Sequence, residues 1–507
     1  MPPQTLAAVL AAHVCQHPDA ALLIAPEARR TLTYGELARH TQQLARFLQA
    51  RGLLPGAKIG LFLHNGYQTT TLFLSTMCAG YVVTPFNLLA QRSGLAAVVR
   101  HSGVDLVFTS PAQAATLSEA LADVANPPEV VLIDVDAAAV IDAAHLPPLK
   151  LQHACKATDP ALLMYTSGTT GTPKGVLLSH ANLLAAATTV ATWHRLTPQD
   201  RVLSSLPLYH INGQVIATLS PFVSGGSIVN PHRFSVSQWW DLVAEHKCTW
   251  INVVPTIIAY LLNAPHTADR TFPAVRFGRS ASAPLSPAHH KAFEDRFGIP
   301  MIEAMGMTEC ASIVFCNPQY GLRKYGSPGL PCGVEAGVIN PQGQLLASDE
   351  PGEIVLRGPN VMAGYFADAE KTAEAIKPLG EGAAWLHSGD LGYRDADGFY
   401  FITGRLKELI IKGGENIAPR EIDERLLAHA DVLEAAAFGI PHAAYGQDIA
   451  AAVIPKPGCR IDDAALKAWC VAELGAFKTP SRWFVVDELP KGPSGKVQRL
   501  KLLDLMS

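Results

Sequence analysis

The chain of 507 residues is 49% hydrophobic and 17% charged, and its formal net charge is -4. This composition excludes an intrinsically disordered chain, which combines few apolar residues with a high net charge. There is no basic excess for coating nucleic acid, so any anion-binding site has to be local. The chain is too long for one core, and we expect about two to four folding units.

Cysteine usage and the chain ends indicate a reducing compartment. The nine cysteines are scattered and include no Cys-x-x-Cys pair, so neither a disulfide framework nor a zinc site is indicated. The first residues lack a basic segment followed by an apolar core, and no apolar run reaches the ~18 residues of a spanning helix. The last three residues are not a peroxisomal Ser-Lys-Leu signal. We therefore expect a cytoplasmic protein without a membrane partner.

The first part of the chain alternates predicted strands with predicted helices. A capping box at Thr33 and Glu36 begins a helix that Gly52 ends, with apolar residues at helical spacing between them. Short apolar runs predict strands at residues 59–63, 81–83, 106–108 and 130–133, with a helix through residues 72–74. This alternation predicts α/β layering with largely parallel sheets.

Residues 164–175 form the most informative stretch, because a buried strand leads directly into a loop rich in glycine and hydroxyl groups. Glycines let backbone N–H groups converge on a phosphate, while hydroxyls and a lysine add donors and charge. We predict that the loop grips a nucleotide triphosphate through Thr166, Ser167, Gly168, Thr169, Thr170, Gly171 and Lys174. A Walker loop is excluded, because Gly175 stands where that motif needs Ser or Thr after its lysine. The alternative is a flexible surface loop, which the preceding strand disfavours.

The composition changes after residue 351, where short segments with Gly and Asp turns predict antiparallel β structure. Beyond Gly404 the chain becomes charged, with a predicted helix at 419–427 and strands at 435–438 and 450–454. We therefore predict an α/β fold with a large amino-terminal domain of layered α/β subdomains and a β-rich subdomain, residues 1–404. A small mobile α+β domain follows at residues 405–507, and the glycine and charge at the junction favour a hinge there.

Seven short motifs are spread over most of the chain. They lie at residues 165–175, 207–210, 280–285, 303–309, 385–390, 404–412 and 493–496, and they include Met307-Thr308-Glu309, Ser388-Gly389-Asp390 and Pro493-Ser494-Gly495-Lys496. Together they resemble the AMP-forming acyl-CoA synthetases and the wider superfamily of adenylating enzymes, which includes luciferases and peptide-synthetase adenylation domains. One such motif is weak evidence, whereas seven in the family's order are strong evidence.

The resemblance implies an acid–CoA ligase that uses ATP, Mg2+ and coenzyme A in two half-reactions. A carboxylate first attacks the α-phosphorus of ATP and pyrophosphate leaves; the CoA thiol then attacks the acyl-adenylate and AMP leaves. Such displacement depends on positioning and charge neutralisation, so the loop ending at Lys174 would hold the departing pyrophosphate. Thr308 and Glu309 would contact the α-phosphate and the metal, since Mg2+ prefers hard oxygen ligands. Taken alone, Thr-Glu is an ordinary helix start.

Other motif residues are expected to bind the nucleoside. Asp390 resembles the carboxylate that takes both ribose hydroxyls, with Arg405 approaching from the hinge side; otherwise it is a turn aspartate. Ser282 and Ala283 are placed with the nucleotide-binding residues. Most relatives have Tyr or Phe where Met305 stands, and Met305 covers a ring by dispersion without stacking in the same way.

Lys496 is the leading catalytic candidate. Its charge would stabilise the charge that develops during adenylation, whereas without its motif it would be solvated surface. Lys407 resembles the hinge residue about which the small domain rotates between the half-reactions, bringing Gly413 and Gly414 to the pantetheine arm. His210 resembles a catalytic residue between the ATP and acyl pockets, although a lone histidine is more often structural.

The acid pocket is expected between residues 210 and 308, where the sequence is closest to the oxalate–CoA ligase branch. A short acid with a second anionic group needs a cationic or donor-rich anchor, for which the candidates are His210, Asn212, Arg233, Arg279 and Ser280. Of these, we predict that His210, Asn212, Arg279 and Ser280 line the acid pocket. Oxalate enzymes of this branch typically have histidine where Asn212 stands. The choice between oxalate and a sulfonate such as sulfoacetate therefore stays open.

Three alternatives remain. Trp239, Trp240 and Trp250 would line a larger apolar pocket in a medium-chain ligase, although tryptophans near helices and strands are usually core. Delivery of the adenylate to a carrier protein is disfavoured by the absence of a recognisable carrier segment. A noncatalytic nucleotide-binding protein is disfavoured by Glu309 and Lys496. The expected partner is a small-molecule acid, with no nucleic acid or membrane, and the protein is expected to be a monomer or homodimer.

Overall fold

The computed structural model describes residues 3–149, 154–166, 174–264, 271–380, 382–491 and 497–506. Several predicted site residues lie outside this set, namely Ser167, Gly168, Thr169, Thr170, Gly171 and Lys496. In the described residues, no helix combines the length and the apolar character needed to cross a bilayer.

The first part of the chain shows the predicted alternation. Its elements are α1 (Leu6–Gln16), β1 (Ala21–Ala25), β2 (Arg30–Thr33), α2 (Tyr34–Ala50), β3 (Lys58–Phe62), α3 (Tyr67–Cys78), β4 (Val82–Pro85), α4 (Arg92–Ser102), β5 (Leu106–Thr109), α5 (Pro111–Leu121) and β6 (Glu129–Leu132). The predicted capping box is present: Glu36 N donates to Thr33 Oγ1 at 3.1 Å and Thr33 N donates to Glu36 Oε2 at 2.9 Å. It starts α2, whose Leu37, Leu44 and Leu48 are buried in the core.

The middle of the chain continues the α/β pattern. Its elements are β7 (Pro160–Thr166), β8 (Lys174–Ser179), α6 (His180–Trp193), β9 (Arg201–Leu203), a π-helix (Asn212–Leu219), α7 (Ser220–Ser224), β10 (Ser227–Val229), α8 (Val236–Glu245), β11 (Trp250–Val253), α9 (Pro255–Asn263), β12 (Phe277–Ser280), α10 (Pro287–Phe297), β13 (Met301–Met305), a 3-10 helix (Thr308–Cys310), β14 (Phe315–Cys316) and β15 (Leu330–Pro331). π-helical turns occur frequently at functional sites, and this one begins at Asn212, a predicted acid-binding residue.

Two largely parallel sheets form the α/β layers, as predicted. One has the order β6-β5-β3-β4-β7-β8, and only the β7–β8 pair is antiparallel. The other has the order β15-β14-β13-β12-β11-β9-β10-β1-β2 and is parallel from β13 to β1. Ligands of parallel sheets bind beyond the carboxyl ends of the strands. The motifs that follow β12 and β13 are therefore at the edge where a site is expected.

The predicted antiparallel region follows. It consists of β16 (Glu335–Ile339), β17 (Gly352–Arg357), α11 (Ala369–Ala375), β18 (Ile376–Pro378), β19 (Ala384–Arg394) and β20 (Tyr400–Arg405). Its strands have the order β16-β17-β19-β18 with β20 on β19, and every pair is antiparallel. One large buried cluster extends from the two parallel sheets into this sheet, where it includes Ile354 and Leu386.

The last part of the chain has a sheet of its own. Its elements are a 3-10 helix (Leu406–Glu408), β21 (Ile410–Lys412), β22 (Glu415–Ile417), α12 (Pro419–Leu427), β23 (Val432–His442), β24 (Gly446–Pro455), α13 (Asp463–Lys478), β25 (Arg482–Val485) and a 3-10 helix (Arg499–Met506). Side chains of a strand alternate between the two faces of its sheet. Accordingly, Ala435 and Ala437 join one buried cluster while Ala436 and Phe438 join another. These separate clusters confirm the predicted small α+β unit.

The three tryptophans of the predicted acid region belong to the interior. Trp239 and Trp240 are each 1% exposed and Trp250 is fully buried. Trp240 stacks on Phe272 with ring centroids 4.2 Å apart. The core interpretation of these residues is therefore confirmed.

Arg499 connects strand β23, helix α12 and the 3-10 helix Leu406–Glu408. Its Nη1 donates to Ala437 O at 2.6 Å, its Nη2 pairs with the buried carboxylate of Asp423, and its Nε pairs with Glu408 Oε2 at 3.3 Å. Burial raises the pKa of Asp423, and the guanidinium opposes that shift. The charge of Asp423 therefore depends on Arg499.

Replacing Arg499 tests this dependence. Arg499→Met leaves Asp423 buried without its cation, and we expect the opening free energy of the last sheet to fall by about 3–5 kcal/mol. Hydrogen–deuterium exchange of the β23 and β24 amides measures it. The matched control is Arg425→Met, because Arg425 and Glu473 form a 3.7 Å pair with side chains 52% and 40% exposed. That exposed pair contributes at most about 1 kcal/mol. Equal protection in both variants would contradict the role of Arg499.

Candidate active site

The β7–β8 hairpin fixes both ends of the predicted phosphate loop. Thr166 is the last residue of β7 and pairs directly with Lys174, the first residue of β8. The Lys174 ammonium lies 5.0 Å from the centre of the Tyr365 ring, a cation–π arrangement. The hairpin therefore determines where the predicted lysine enters the site.

The predicted metal-binding motif lies directly after β13. Gly306 leaves this strand beside Ser312, and an added Cβ at Gly306 would lie 1.1 Å from the Ser312 carbonyl oxygen. Only glycine fits this turn. Thr308 and Glu309 follow in the short 3-10 helix, and Glu309 Oε1 accepts a hydrogen bond of 2.9 Å from the Tyr365 hydroxyl.

These oxygens fit Mg2+. Among the described residues no group of three or more His, Cys, Asp or Glu could hold a metal ion. Mg2+ in nucleotide sites needs no such cage, because it usually takes one or two carboxylates together with substrate phosphates and water. The carboxylate of Glu309 and the hydroxyl of Thr308 are oxygen donors of that kind.

Asp390 is held in a shaped turn of β19. Gly389 has a φ of 70°, and the Ser388 hydroxyl accepts from Asp390 N at 3.0 Å. Asp390 is 2% exposed; its Oδ1 accepts from Arg405 Nε at 2.7 Å, while its Oδ2 has no hydrogen-bond partner among the described residues. Asp390 and, more weakly, Glu309 raise the pKa of Arg405. Asp390 is thus paired with the Arg405 guanidinium, and the charge of Glu309 acts on the same guanidinium.

The predicted acid-binding residues form a second cluster. Asn212 N donates to His210 Nδ1 at 3.3 Å, and Asn212 Nδ2 donates to Ser282 Oγ at 3.1 Å. Asn212 Oδ1 accepts from Asn252 Nδ2 at 3.0 Å and from Arg279 Nη1 at 3.5 Å. The amide of Asn212 therefore connects the Ser282 loop to a buried guanidinium.

Arg279 is fully buried and has no counterion among the described residues. Within these residues its Nε and Nη2 have no hydrogen-bond partner, and no carboxylate contributes to the shift of its pKa. Burial lowers the pKa of Arg279, and the nearby thiols of Cys316 and Cys332 oppose this shift. Burial raises the pKa of the Cys316 thiol to about 12, so this thiol stays neutral near pH 7. The positive charge of Arg279 is therefore uncompensated in the part of the chain that the structure describes.

The remaining predicted residues border these clusters. Ser280 is buried, and in the described structure its hydroxyl has no partner. Ser282 has a φ of 75°, a strained value for a residue with a side chain. Ala283 and Met305 are partly exposed, as a surface against a base requires.

The predicted hinge lies between two anchored residues. Arg405 is paired with Asp390 in the β19–β20 ladder, whereas Glu408 is paired with Arg499 of the last 3-10 helix. Lys407 lies between them and is exposed. Gly413 and Gly414 are exposed on the turn after β21, with φ values of 58° and 87° that favour glycine.

Two contributors were not predicted from the sequence. Tyr365 contacts both Lys174 and Glu309, and Asn252 contacts both Asn212 and Arg279. Asn252 carried a usable signal, because it is a polar residue inside the otherwise apolar strand β11. Tyr365 carried none, because its partners are distant in sequence.

Family comparisons agree with this geometry. The model of AMP-binding enzymes matches residues 10–366, and that of the AMP-binding enzyme C-terminal domain matches residues 421–496. The chain belongs to the AMP-binding enzyme family. It is 52% identical to a sulfoacetate–CoA ligase of Cupriavidus necator, over 99% of this chain and 97% of that protein. It is 35% identical to an oxalate–CoA ligase of Arabidopsis thaliana, over 92% of both chains.

Solved structures show the same fold. ATP-bound MatB of Rhodopseudomonas palustris is 31% identical and superposes with a TM-score of 0.89, over 99% of this chain and 98% of that one. The apo form of that protein, with the same identity and coverage, gives a TM-score of 0.80. The chain is an AMP-forming acid–CoA ligase whose substrates include ATP and CoA. The predicted family, fold class and reaction class are thus confirmed.

The turn at Gly306 provides a test. Gly306→Ala would force Cβ against the Ser312 carbonyl and displace the loop that carries Thr308 and Glu309, so we expect kcat/KM for ATP to fall about 100-fold. Gly94→Ala is the control, because Gly94 lies in helix α4 and its added Cβ meets nothing within 4 Å. Steady-state kinetics with a circular dichroism spectrum measure the effect. Unchanged ATP kinetics in Gly306→Ala would contradict the constraint.

Proposed function

We propose that this ligase activates a short acid that carries a second anionic group, and that sulfoacetate is that acid. The observation that carries the proposal is the buried Arg279, which has no counterion among the described residues and adjoins Asn212 in the predicted acid pocket. The sulfoacetate–CoA ligase of Cupriavidus necator, with its 52% identity, supports the same choice.

Electrostatics explain why the distal group should be anionic. An isolated buried charge is strongly unfavourable, and an anion close to Arg279 offsets that cost. Asn212 Oδ1 accepts from Arg279, which directs the amide N–H groups of Asn212 away from the guanidinium and toward Ser282. A sulfonate at Asn212 would meet these donors with a positive charge behind them. A neutral alkyl chain there would leave both the charge and the donors unsatisfied.

Asn212 also favours sulfoacetate over oxalate. Oxalate enzymes of the resembling branch typically have histidine at this place, and oxalate has no methylene between its two anionic groups. The neutral amide of Asn212 supplies donors without adding a second titratable group. His210, which accepts from Asn212 N, would then lie between the distal group and the reacting carboxylate.

We propose the predicted roles for the nucleotide-binding residues. Among the described residues Asp390 Oδ2 has no hydrogen-bond partner, and this supports its role as acceptor for the ribose hydroxyls, because buried oxygens are rarely left unpaired. Lys174 and the loop from Thr166 would hold the leaving pyrophosphate, while Thr308 contacts the α-phosphate. Met305, with Ser282 and Ala283, would border adenine. Bound Mg2+ would neutralise phosphate charge, and Glu309 is its proposed protein ligand.

We propose that the chain pivots at Lys407, with domains at residues 1–404 and 405–507. Two ion pairs support this proposal, because Arg405 is paired with Asp390 and Glu408 is paired with Arg499. The backbone between Arg405 and Glu408 is therefore where the dihedral angles would change. Rotation would move Lys496, which is needed for adenylation, out of the site. It would bring in the Gly413-Gly414 turn, whose small residues leave room for pantetheine. We also propose that the protein is cytoplasmic and that it is a monomer or a homodimer.

An acid panel tests the substrate. Sulfoacetate, oxalate, propionate and hexanoate are each supplied with ATP and Mg2+, and AMP and the CoA thioester are measured with and without CoA. We expect sulfoacetate to give the highest kcat/KM and a thioester only when CoA is present. A preference for propionate or hexanoate would refute the anionic anchor, and a preference for oxalate would refute the role of Asn212.

The Arg279 charge gives a sharper prediction. In Arg279→Gln, we expect the ratio of kcat/KM for sulfoacetate to that for propionate to fall about 10- to 100-fold, since hydrogen bonds to charged groups contribute about 1.5–3 kcal/mol. The ratio cancels any loss of folded enzyme. Asn212→His should shift preference toward oxalate. An unchanged ratio in Arg279→Gln would place the second anion elsewhere.

Lys496→Ala separates the two half-reactions. Removing a preorganised charge at the α-phosphate should slow adenylation about 100- to 1000-fold, while thioester formation from supplied acyl-adenylate continues near the normal rate. Lys501→Ala, an exposed lysine of the last 3-10 helix, is the control and should affect neither step. Rapid-quench measurement of each half-reaction distinguishes these outcomes. Equal loss of both would contradict the proposed role.

A further inference from the structure

The segment around Tyr365 joins two parts of the active site through its backbone. Phe366 N donates to Gly175 O at 2.7 Å, and Tyr365 forms an isolated β-bridge with Val176. On the other side, Met362 N donates to Glu309 O at 2.8 Å. One short segment is therefore bonded both to the phosphate hairpin and to the predicted metal-binding turn.

The Tyr365 side chain repeats this connection. Its hydroxyl donates to Glu309 Oε1 at 2.9 Å, and the Lys174 ammonium lies 5.0 Å from the centre of its ring. The side chain of Tyr365 thus contacts the proposed metal ligand and the phosphate lysine at the same time.

The backbone of Tyr365 is fixed independently of these side-chain contacts. Tyr365 N donates to Thr372 Oγ1 at 2.8 Å, and the Thr372 hydroxyl donates to Asp368 O at 2.7 Å. The neighbouring Gly364 leaves no room for a side chain, because an added Cβ would lie 2.6 Å from Thr372 Cγ2. The backbone that carries the Tyr365 side chain is thus held by contacts of its own.

We propose that Tyr365 is a positioning residue that couples the metal carboxylate to the phosphate lysine. By committing Oε1 of Glu309 to a hydrogen bond, it fixes the carboxylate plane and leaves Oε2 for Mg2+. Its ring meanwhile holds Lys174 beside the loop. The inference rests on the proposed roles of Glu309 and Lys174. Partners that orient a metal ligand typically change metal affinity about 10- to 100-fold when they are removed.

Two substitutions separate the functions of the hydroxyl and the ring. Tyr365→Phe keeps the ring under Lys174 and removes the bond to Glu309; Tyr365→Leu removes both. ATP binding is measured by calorimetry in EDTA and across a Mg2+ titration. For Tyr365→Phe we expect unchanged ATP affinity in EDTA and a Mg2+ requirement raised about 10- to 100-fold. Tyr365→Leu should also weaken ATP binding in EDTA.

A matched control and a reference variant complete the experiment. Tyr400→Phe removes a phenol hydroxyl that donates to Ala336 O at 2.8 Å, and it should leave the Mg2+ requirement unchanged. Glu309→Gln should raise the requirement at least as much as Tyr365→Phe. If Glu309→Gln raises it and Tyr365→Phe does not, the inference about Tyr365 is overturned. If neither raises it, the assignment of Glu309 has failed instead, and the inference falls with it.

Discussion

The ion pair between Arg405 and Asp390 is the contact on which the arrangement of the site depends. It joins β19 to β20 at the last residue before the chain leaves the large sheet system. Because Asp390 is almost fully buried, its charge needs this guanidinium, and the guanidinium is also close enough to Glu309 to be affected by its charge. One cation therefore organises the carboxylates proposed for ribose and for the metal.

The same junction limits where the chain can move. Arg405 belongs to the antiparallel sheet, while Glu408 is held by Arg499, which also balances the buried Asp423. The two anchors are close in sequence, so a change of orientation has to be taken up in a short stretch of backbone. Short hinges of this kind absorb large dihedral changes while the units on either side stay rigid.

Charge balance differs between the two halves of the site. On the proposed nucleotide side, Arg405 pairs with Asp390, and Glu309 also acts on the charge of Arg405. The Lys174 ammonium lies over the Tyr365 ring. On the proposed acid side, amide oxygens and the neutral thiols of Cys316 and Cys332 adjoin Arg279, and no carboxylate among the described residues pairs with it. On the proposed roles, the first half would bind ATP together with Mg2+, and the second half would bind an acid that carries a second anionic group. On the proposed roles, specificity for the acid would follow from the positive charge of Arg279 more than from pocket shape.

The helix at α12 and the capping box at Thr33 were predictable from sequence because their signals are local. Motif order likewise indicated Glu309 and Asp390, because each lies in a short motif that resembles one of the family's. The contacts of Tyr365 and the isolation of Arg279 were not predictable. The contacts of Tyr365 depend on which segments distant in sequence come together. The surroundings of Arg279 depend on whether a carboxylate lies near it among the described residues. Only the tertiary structure decided both.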